Sequence, residues 1–404
     1  MRSSFHEDVA MAENINSAVQ EVLPDQRRRV KVRRKGTLRQ WLTLALLVYF
    51  LICAVSIIGN GFKIAAGEHA AQLFEFAVNP FIGLMIGIVA TALIQSSSTV
   101  TSVIVAFVAG GLPVATAVPM IMGANIGTTV TNTLVSLGHV RDKAEFRRAF
   151  SAATVHDFFN LLAVAVFLPI EIIFHPLEKL ALSASSMLYG DADLSMGSVN
   201  IIGMATRPIT STVENVAMNL PTIAGGIAMI VFGIAVIFLA IRYIGALLRV
   251  LMVGRAKNIM HNAIGRGPIT GIASGAMVTF LVQSSSTTTS LMVPLAGSGT
   301  FSLRQIYPFT LGTNIGTTFT ALLAATAVTG ATAILALEIA LVHLFFNLFA
   351  VAVIFGLPFL RPLPVKGAEW LGRIASERKV LAAAWVLGVF IAIPAILIAF
   401  TTLL

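Results

Sequence analysis

The stretch QSSST at residues 95–99 recurs without change at residues 283–287. Two other segments repeat in the same order and at nearly the same spacing: GANIGTT at 123–129 returns as GTNIGTT at 312–318, and VHDFFN at 155–160 returns as VHLFFN at 342–347. Three motifs repeated in one order at one spacing indicate an internal duplication of the chain.

Each QSSST segment lies in the middle of a long apolar stretch, at residues 80–111 in the first copy and 268–300 in the second. A helix needs about 20 residues to cross the roughly 30 Å hydrocarbon layer. Each stretch is therefore too long for one crossing and too short for two crossings joined by a turn. The length fits a re-entrant helical hairpin, because broken backbone at membrane depth is tolerated where protein or a water-filled cavity satisfies it.

The composition is that of a membrane protein. Hydrophobic residues make up 57% of the 404, and charged residues only 11%, whereas a soluble domain carries roughly 25%. This balance argues against a soluble globular enzyme. Besides the two hairpins, seven apolar segments are long enough to cross the membrane: residues 40–59, 113–137, 149–174, 220–241, 305–329, 331–357 and 380–403.

The net charge of +9 follows the positive-inside rule. A basic cluster at residues 27–35 precedes the first span and places the N-terminus in the cytoplasm. With both hairpins re-entrant, every lysine and arginine except Lys63, Lys179 and Arg207 then lies on the cytoplasmic side. The charge therefore needs no nucleic-acid partner to explain it, and the C-terminus is expected outside the cell.

Each copy contains one span, one hairpin and two further spans, so it crosses the membrane three times. Because three is odd, the second copy must be inserted upside down, as in secondary transporters that work by alternating access. The sequence therefore predicts an all-α polytopic membrane protein of two inverted repeats with one extra C-terminal transmembrane helix. Its parts are a basic N-terminal segment (1–39), repeat 1 (40–174), an exposed external loop (175–219), repeat 2 (220–357) and a cytoplasmic loop with the final span (358–404).

The predicted spans and hairpins contain no lysine or arginine, so an anion at the membrane centre would meet no side-chain cation. A broken helix offers instead the backbone N–H groups that begin its second half, and these suit an oxyanion. The carbonyls that end its first half, with the amide oxygens of Gln95 or Gln283, suit a hard cation. We therefore expect a multivalent oxyanion that is neutralised by co-bound alkali cations.

Hydroxyl and amide groups would hold both ions. The oxyanion candidates are the motif serines and the asparagines of the repeated NIGTT segments: Ser96, Ser97, Ser98, Ser284, Ser285, Ser286, Asn125 and Asn314. The cation candidates are Gln95, Gln283, Ser284, Thr128, Thr129, Thr317 and Thr318. These groups do not titrate near neutral pH, so sodium fits better than a proton. Close helix packing and helix kinks are the alternative explanations of such motifs, and the duplication of QSSS inside two matching hairpins favours ligands.

His156 and Asn160 in the first copy, and His343 and Asn347 in the second, are spaced four residues apart, so each pair lies on one helical face. Metal ligation would need a carboxylate or cysteine at a repeated position, and the sequence has none. We expect buried hydrogen-bonding pairs that brace the hairpins, and no transition-metal site.

Three further residues stand alone in the apolar segments. The single cysteine, Cys53, allows no intramolecular disulfide. Asp157 and Glu338 are carboxylates inside predicted spans, where such groups are functional candidates, and neither is duplicated in the other copy. Proton coupling would need one of these two carboxylates, or else His156 or His343. A structural role is equally open to the two carboxylates.

In the two QSSS segments, the two NIGTT segments and the ATVHDFFN stretch at 153–160, the chain resembles the type II sodium/phosphate cotransporter family, which has bacterial and animal members. The resemblance covers residues 80–174 and 268–358. It implies that divalent inorganic phosphate moves together with sodium and that the QSSS serines contact phosphate. Animal members carry a large disulfide-bonded loop between the repeats, whereas residues 175–219 are short and contain no cysteine.

The resemblance also implies roles for individual residues. Gln283 and Ser284, with Thr317 and Thr320, would help to hold sodium. Asp142, which is flanked by Arg141 and Lys143, matches an acidic position that the family links to a further sodium ion.

The expected function is sodium-coupled symport of inorganic phosphate across a bacterial inner membrane, with Na⁺ as the co-transported ion and the lipid bilayer as surroundings. A sodium-coupled carrier for sulfate or a dicarboxylate is the nearest alternative, although a dicarboxylate carrier would be expected to show an arginine in its site. A passive anion channel would lack saturable, sodium-dependent flux. A membrane hydrolase would need a base-activated nucleophile, and two matching repeats suit a two-faced carrier better.

Overall fold

The computed structural model describes residues 38–66, 79–190, 201–263 and 266–403. All regular structure within these ranges is helical, which confirms the all-α fold. Two compact units divide the chain, Met1–Leu42 and Thr43–Leu404. The described part of the first unit is the opening of one helix, and the sites discussed below lie in the second.

The helices follow the same order in the two copies of the duplication. The first copy contains α1 (Leu38–Ala66), α2 (Pro80–Ile94), α3 (Ser97–Gly110), α4 (Val114–Gly127), α5 (Val130–Ser136) and α6 (Lys143–Phe174). Two helices link the copies, α7 (Pro176–Gly190) and α8 (Ile201–Ala217). The second copy contains α9 (Thr222–Ala263), α10 (Pro268–Val282), α11 (Ser285–Ser290), α12 (Met292–Gly297), α13 (Leu303–Ala325) and α14 (Ala333–Ala350), and α15 (Pro362–Glu377), α16 (Val380–Leu387) and α17 (Ile393–Leu403) follow it.

Six helical segments of the described chain are long and apolar enough to cross a membrane: Leu38–Ala65, Val114–His139, Lys143–Phe174, Thr222–Leu248, Ala333–Phe355 and Val380–Ala399. They match six of the seven predicted crossings. The seventh, predicted at residues 305–329, is present as α13, but five threonines and an asparagine make it too polar to count among the apolar spans. Most of its residues are buried, so neighbouring helices rather than lipid surround it.

The stretch predicted as an exposed loop, residues 175–219, is helical in its described parts. α7 packs against α14 and buries Leu177 and Ala181. The Glu171 carboxylate accepts hydrogen bonds from the backbone N–H groups of Leu177 and Glu178, at 2.8 and 3.0 Å, and so caps the start of α7. The loop prediction is therefore wrong here, because polar residues in this segment mark the exposed faces of helices rather than irregular backbone.

Close contact between α2 and α4 depends on two glycines in the first copy. A Cβ atom at Gly123 would lie 2.0 Å from the carbonyl oxygen of Leu84, and one at Gly87 would lie 2.1 Å from that of Met120. Only glycine allows the two backbones to approach this far, as at many helix contacts inside membranes.

The second copy repeats this contact between α10 and α13. A Cβ atom at Gly312 would lie 1.9 Å from the carbonyl oxygen of Ile272, and one at Gly275 would lie 2.0 Å from that of Phe309. The same helix pair is therefore packed in the same way in both copies, and each pair positions the QSSS segment that follows its first helix.

Candidate functional site

Each QSSS segment is a break between two helices. Gln95 ends α2 and Gln283 ends α10 in the left-handed conformation, with φ angles of 55° and 54°, which residues other than glycine rarely adopt. The next residue, Ser96 or Ser284, is extended, and its hydroxyl oxygen accepts a hydrogen bond from the backbone N–H three residues on, at 3.2 Å in both copies. The two breaks therefore share one geometry.

Both breaks open onto one cavity of about 420 Å³, which we call the QSSS cavity. The residues that line it from the two motifs are Gln95, Ser96, Ser97, Ser98, Thr99, Gln283, Ser284, Ser285 and Ser286. The structure thus brings together all six motif serines and both motif glutamines from segments that are far apart in the chain.

The serines of the first motif surround the N-terminus of α3. Ser97 and Ser98 are buried, as are Ser285 and Ser286 of the second motif. In the first turn of α3 the N–H of Thr99 is bonded to the Ser96 hydroxyl, whereas the N–H groups of Ser97 and Ser98 have no acceptor within the helix, and this helix end carries a partial positive charge. An oxyanion in the cavity would therefore meet N–H donors from α3 and hydroxyl donors from both copies.

Arg242 adds a cation to the QSSS cavity. α9 continues without interruption past residue 241, where the predicted span ends, and Arg242 lines the cavity beside Phe238 and Gly245. The expectation that an anion would meet no side-chain cation is therefore wrong. The predicted span ends with the apolar run at residue 241, but α9 continues beyond it. Arg242, one residue past the apolar run, therefore still lines the cavity.

Gln283 and Thr320 form the contact that best fits a sodium ligand pair. The Thr320 hydroxyl donates to Oε1 of Gln283 at 2.9 Å, and Nε2 of Gln283 donates to the carbonyl of Phe280 at 2.7 Å. The amide oxygen of the cavity-lining glutamine therefore points towards α13, where a second oxygen lies within reach of the same small cation.

The other threonines predicted to bind sodium lie outside the QSSS cavity. The hydroxyls of Thr317 and Thr318 donate to carbonyl oxygens of their own helix, α13. Those of Thr128 and Thr129, which follow the end of α4, donate to carbonyl oxygens of α4. Each hydroxyl proton is thus engaged, but the oxygen lone pairs can still coordinate a cation. The role of these threonines as sodium ligands stays a prediction.

Asn125, predicted to bind the anion, lies in a buried hydrogen-bond network away from the QSSS cavity. Its Nδ2 donates to Oδ1 of Asn347 at 3.0 Å, and its Oδ1 lies 3.1 Å from Nε2 of His343. Both partners belong to the second copy. The His/Asn pair on α14 therefore binds α4 of the opposite copy.

Asn314 has the corresponding partners. Its Nδ2 donates to Oδ1 of Asn160 at 2.8 Å, and its Oδ1 contacts Nε2 of His156. Each His/Asn pair was expected to brace a hairpin, and each instead joins one copy to the NIGTT asparagine of the other. Anion binding by the two asparagines stays a prediction, with all four of these amide groups engaged by protein.

The second QSSS segment has an additional contact with the first copy. The Ser286 hydroxyl donates to the carbonyl of Thr128 at 3.3 Å, and the Thr289 hydroxyl lies 2.8 Å from Oδ1 of Asn132 as well as 2.8 Å from the carbonyl oxygen of Ser285 in its own helix. In the first copy, the residue that corresponds to Thr289 is Thr101, and its hydroxyl is bonded within its own helix. The two copies are therefore not equivalent at this contact.

The carboxylates singled out in the sequence lie outside the QSSS cavity. Asp142 precedes α6, and its Oδ1 accepts the backbone N–H of Glu145 at 2.7 Å, which is a helix cap. Oδ2 of Asp157 accepts the indole N–H of Trp385 at 2.9 Å and so joins α6 to α16. Glu338 is buried within α14.

Glu171, His175 and Glu178 bring three ligand atoms within 4.8 Å of one another. Glu171 already caps α7, and Nδ1 of His175 lies 3.1 Å from Oε2 of Glu178. Capping and this pairing account for the cluster. The absence of a transition-metal site stays a prediction.

The comparisons with known proteins agree with the motifs. The Na⁺/Pi-cotransporter family model matches residues 50–190 and 236–360. Sodium-dependent phosphate transport protein 2A of Rattus norvegicus is 32% identical over 93% of this chain and 70% of its own length. The corresponding protein 2B of Homo sapiens is 32% identical over 86% of this chain and 63% of its own length.

No solved structure matches the chain. The family match nevertheless includes both QSSS segments and both His/Asn pairs, and it confirms the resemblance seen in the motifs. This multi-pass helical chain therefore belongs to the Na⁺/Pi-cotransporter family.

Proposed function

We propose that this protein carries inorganic phosphate across a membrane together with sodium, by alternating access between two inverted repeats. The observation that carries the proposal is the convergence of both QSSS segments on one cavity. A site built from two copies suits a carrier, because movement of one copy against the other can open the site to either side. The names of the relatives, sodium-dependent phosphate transport proteins, support the substrate and the coupling ion.

We infer that the N-terminus lies in the cytoplasm of a bacterial cell and the C-terminus lies outside, in accordance with the positive-inside rule. In this orientation, α2 with α3 and α10 with α11 and α12 are re-entrant hairpins that enter from opposite faces. α9 then runs from the outside inwards, and Arg242 stands near the cytoplasmic end of its span, Thr222–Leu248.

Phosphate would be bound in the QSSS cavity by several neutral donors and one cation. The hydroxyls of Ser97 and Ser285, with the N–H groups that begin α3, donate to its oxygens. The Arg242 guanidinium supplies one positive charge, which leaves part of the charge of a divalent ion to be balanced by sodium. Sodium bound between Gln283 and Thr320 would supply that balance, so each ion would favour binding of the other.

The direct experiment measures uptake of labelled phosphate into proteoliposomes under an inward sodium gradient, with a potassium gradient at the same pH as control. We expect saturable uptake with sodium and background uptake with potassium. A double variant, Ser97→Ala with Ser285→Ala, should reconstitute normally and lose most of the uptake. Equal uptake with both cations, or normal kinetics in the double variant, would contradict the proposal.

Arg242→Gln should raise the KM for phosphate about tenfold, because a charge-assisted hydrogen bond contributes about 1.5–3 kcal/mol and the exposure of Arg242 places it at the lower end. Arg242→Lys keeps the charge, and its KM for phosphate should lie between those of the wild type and Arg242→Gln. Lys366→Gln, on an exposed part of α15, removes a charge elsewhere and serves as the control. A KM in Arg242→Gln that equals the control value would remove this residue from the site.

Gln283→Ala should shift sodium activation of uptake to concentrations at least about threefold higher, because the amide oxygen proposed as a ligand is lost. Thr320→Val removes the neighbouring hydroxyl with little change of shape and should give a similar shift. Phosphate affinity at saturating sodium should change much less in both variants. Sodium activation curves that coincide with the wild type would argue against this ion site.

Arg242 also gives weight to a second candidate function. An arginine in the site is what a dicarboxylate carrier would show. Competition by succinate and by sulfate in the uptake assay tests this alternative, and we expect phosphate to be preferred over both. Stronger inhibition by succinate than by unlabelled phosphate would favour the dicarboxylate carrier.

A further inference from the structure

A second polar cavity, of about 170 Å³, lies apart from the QSSS segments. It is formed by α1, by α8, by the end of α3 at Ala109 and by the turn that joins α13 to α14. Lys63 of α1 and Arg207 of α8 both line it, so two cations from separate helices share one small space. Hydrogen-bonding side chains complete the wall, among them Asn60, Thr210 and Thr329.

The positive charge of this cavity has no acidic partner among the described residues of its walls. None of the lining residues within the described ranges is an aspartate or a glutamate. The ion pairs found in the described ranges, His139 with Glu145 and His175 with Glu178, involve neither cation. Two like charges in one cleft concentrate a positive potential there, and hydroxyl and amide donors beside them can give directed hydrogen bonds to an oxyanion.

The cavity lies far from the QSSS cavity along the helix axes. Gly226 of α9 packs on Gly61 of α1, where a Cβ atom would lie 2.6 Å from the Gly61 carbonyl oxygen. Lys63 is therefore at the level of Gly226. Arg242 follows sixteen residues later on the same helix, which at 1.5 Å per residue is about 24 Å. The two cavities consequently stand near opposite ends of one membrane span.

We propose that the Lys63–Arg207 cavity is a second binding site for a small multivalent oxyanion, and that phosphate is its ligand. The site would hold phosphate at the end of the membrane span opposite to Arg242. It would thereby raise the local concentration of phosphate at the entrance on that side. The inference goes beyond the proposed transport cycle and rests on the proposed function only for the ligand and for the assignment of this face to the outside.

The test is equilibrium binding of labelled inorganic phosphate to the purified full-length protein, at low ionic strength and without sodium. We expect the wild type to bind saturably, and Lys63→Gln and Arg207→Gln each to weaken binding at least about fivefold. Arg207→Lys keeps the charge and should retain most of the affinity. Lys179→Gln removes an exposed cation on α7 and should bind like the wild type.

The Ser97→Ala, Ser285→Ala double variant separates this site from the QSSS cavity. Sodium-independent binding that survives in the double variant and is lost in the Lys63 and Arg207 variants would support the second site. Binding that is lost in the double variant, or unchanged in both cation variants, would overturn it. Because no transport is required, a failure of the uptake experiment would leave this measurement intact, and the two proposals can fail separately.

Discussion

Replacing Gly312 with alanine should lower the free energy of unfolding by about 3 kcal/mol, towards the upper end of what overpacking usually costs. The added Cβ would lie 1.9 Å from the carbonyl oxygen of Ile272 and 2.8 Å from the backbone nitrogen of Ala276. Both atoms belong to the backbone of α10, so no side chain can turn aside. α10 and α13 would have to separate, and the second QSSS segment would move with them.

The measurement is reversible unfolding of the detergent-purified protein, with phosphate uptake as a second readout. Gly138→Ala is the matched control, since nothing lies within 4 Å of a Cβ atom at that exposed position. Equal stability of the two variants would show that the approach of α10 to α13 is not fixed by Gly312.

Asn314→Leu should destabilise the protein by about 2–4 kcal/mol and reduce uptake at least tenfold. The change keeps the approximate shape but leaves Nε2 of His156 and Oδ1 of Asn160 without the partner that each has now. A buried polar group left unpaired costs about 1–3 kcal/mol, and values inside membranes lie at the lower end. Two groups are affected, and both link the first copy to the second.

A triple variant distinguishes packing from function. Adding His156→Phe and Asn160→Leu to Asn314→Leu removes these three polar partners together, which limits the cost for stability when shape is kept, although the carbonyl oxygen of Asn125 loses the 2.7 Å hydrogen bond from Nδ2 of Asn160. We expect the triple variant to recover part of the stability that Asn314→Leu loses and still to transport poorly. Asn219→Leu, at an exposed position, controls for the substitution itself, and full transport by the triple variant would reduce the network to a packing element.

Much of the fold could be predicted from the sequence because the duplication and the apolar runs are strong signals. The helix breaks at Gln95 and Gln283 follow from a polar motif at the centre of an apolar stretch. The motif alone could not show that both breaks line one cavity, because that depends on packing between α2 and α4 and between α10 and α13. The left-handed conformation at glutamine, a residue that seldom adopts it, has no local signature.

Where the structure departs from the pattern of the sequence, the cause is physical. α13 can contain many polar residues because protein rather than lipid surrounds it. A hydropathy criterion derived for lipid contact therefore does not detect it as a membrane span. Arg242 falls outside the predicted span because the apolar run ends one residue earlier, although α9 continues to Ala263. The partners of Asn125 and Asn314 lie more than 150 residues away in the chain, and spacing within one helix could only show that each His/Asn pair shares a face.

The unequal contact between the copies, where Ser286 and Thr289 bond to the first copy and Thr101 bonds within its own helix, has an energetic consequence. If the transport cycle exchanges the arrangements of the two repeats, perfect symmetry would give the inward-open and outward-open forms equal free energy. Ala321 stands where the second copy would need a residue like Asn132, so the contact of Thr289 with Asn132 has no counterpart in the other form. One such hydrogen bond contributes about 1 kcal/mol, which is roughly a fivefold bias in the populations of the two forms. The empty carrier would then rest predominantly with one gate open, and the ions it meets first would be those on that side of the membrane.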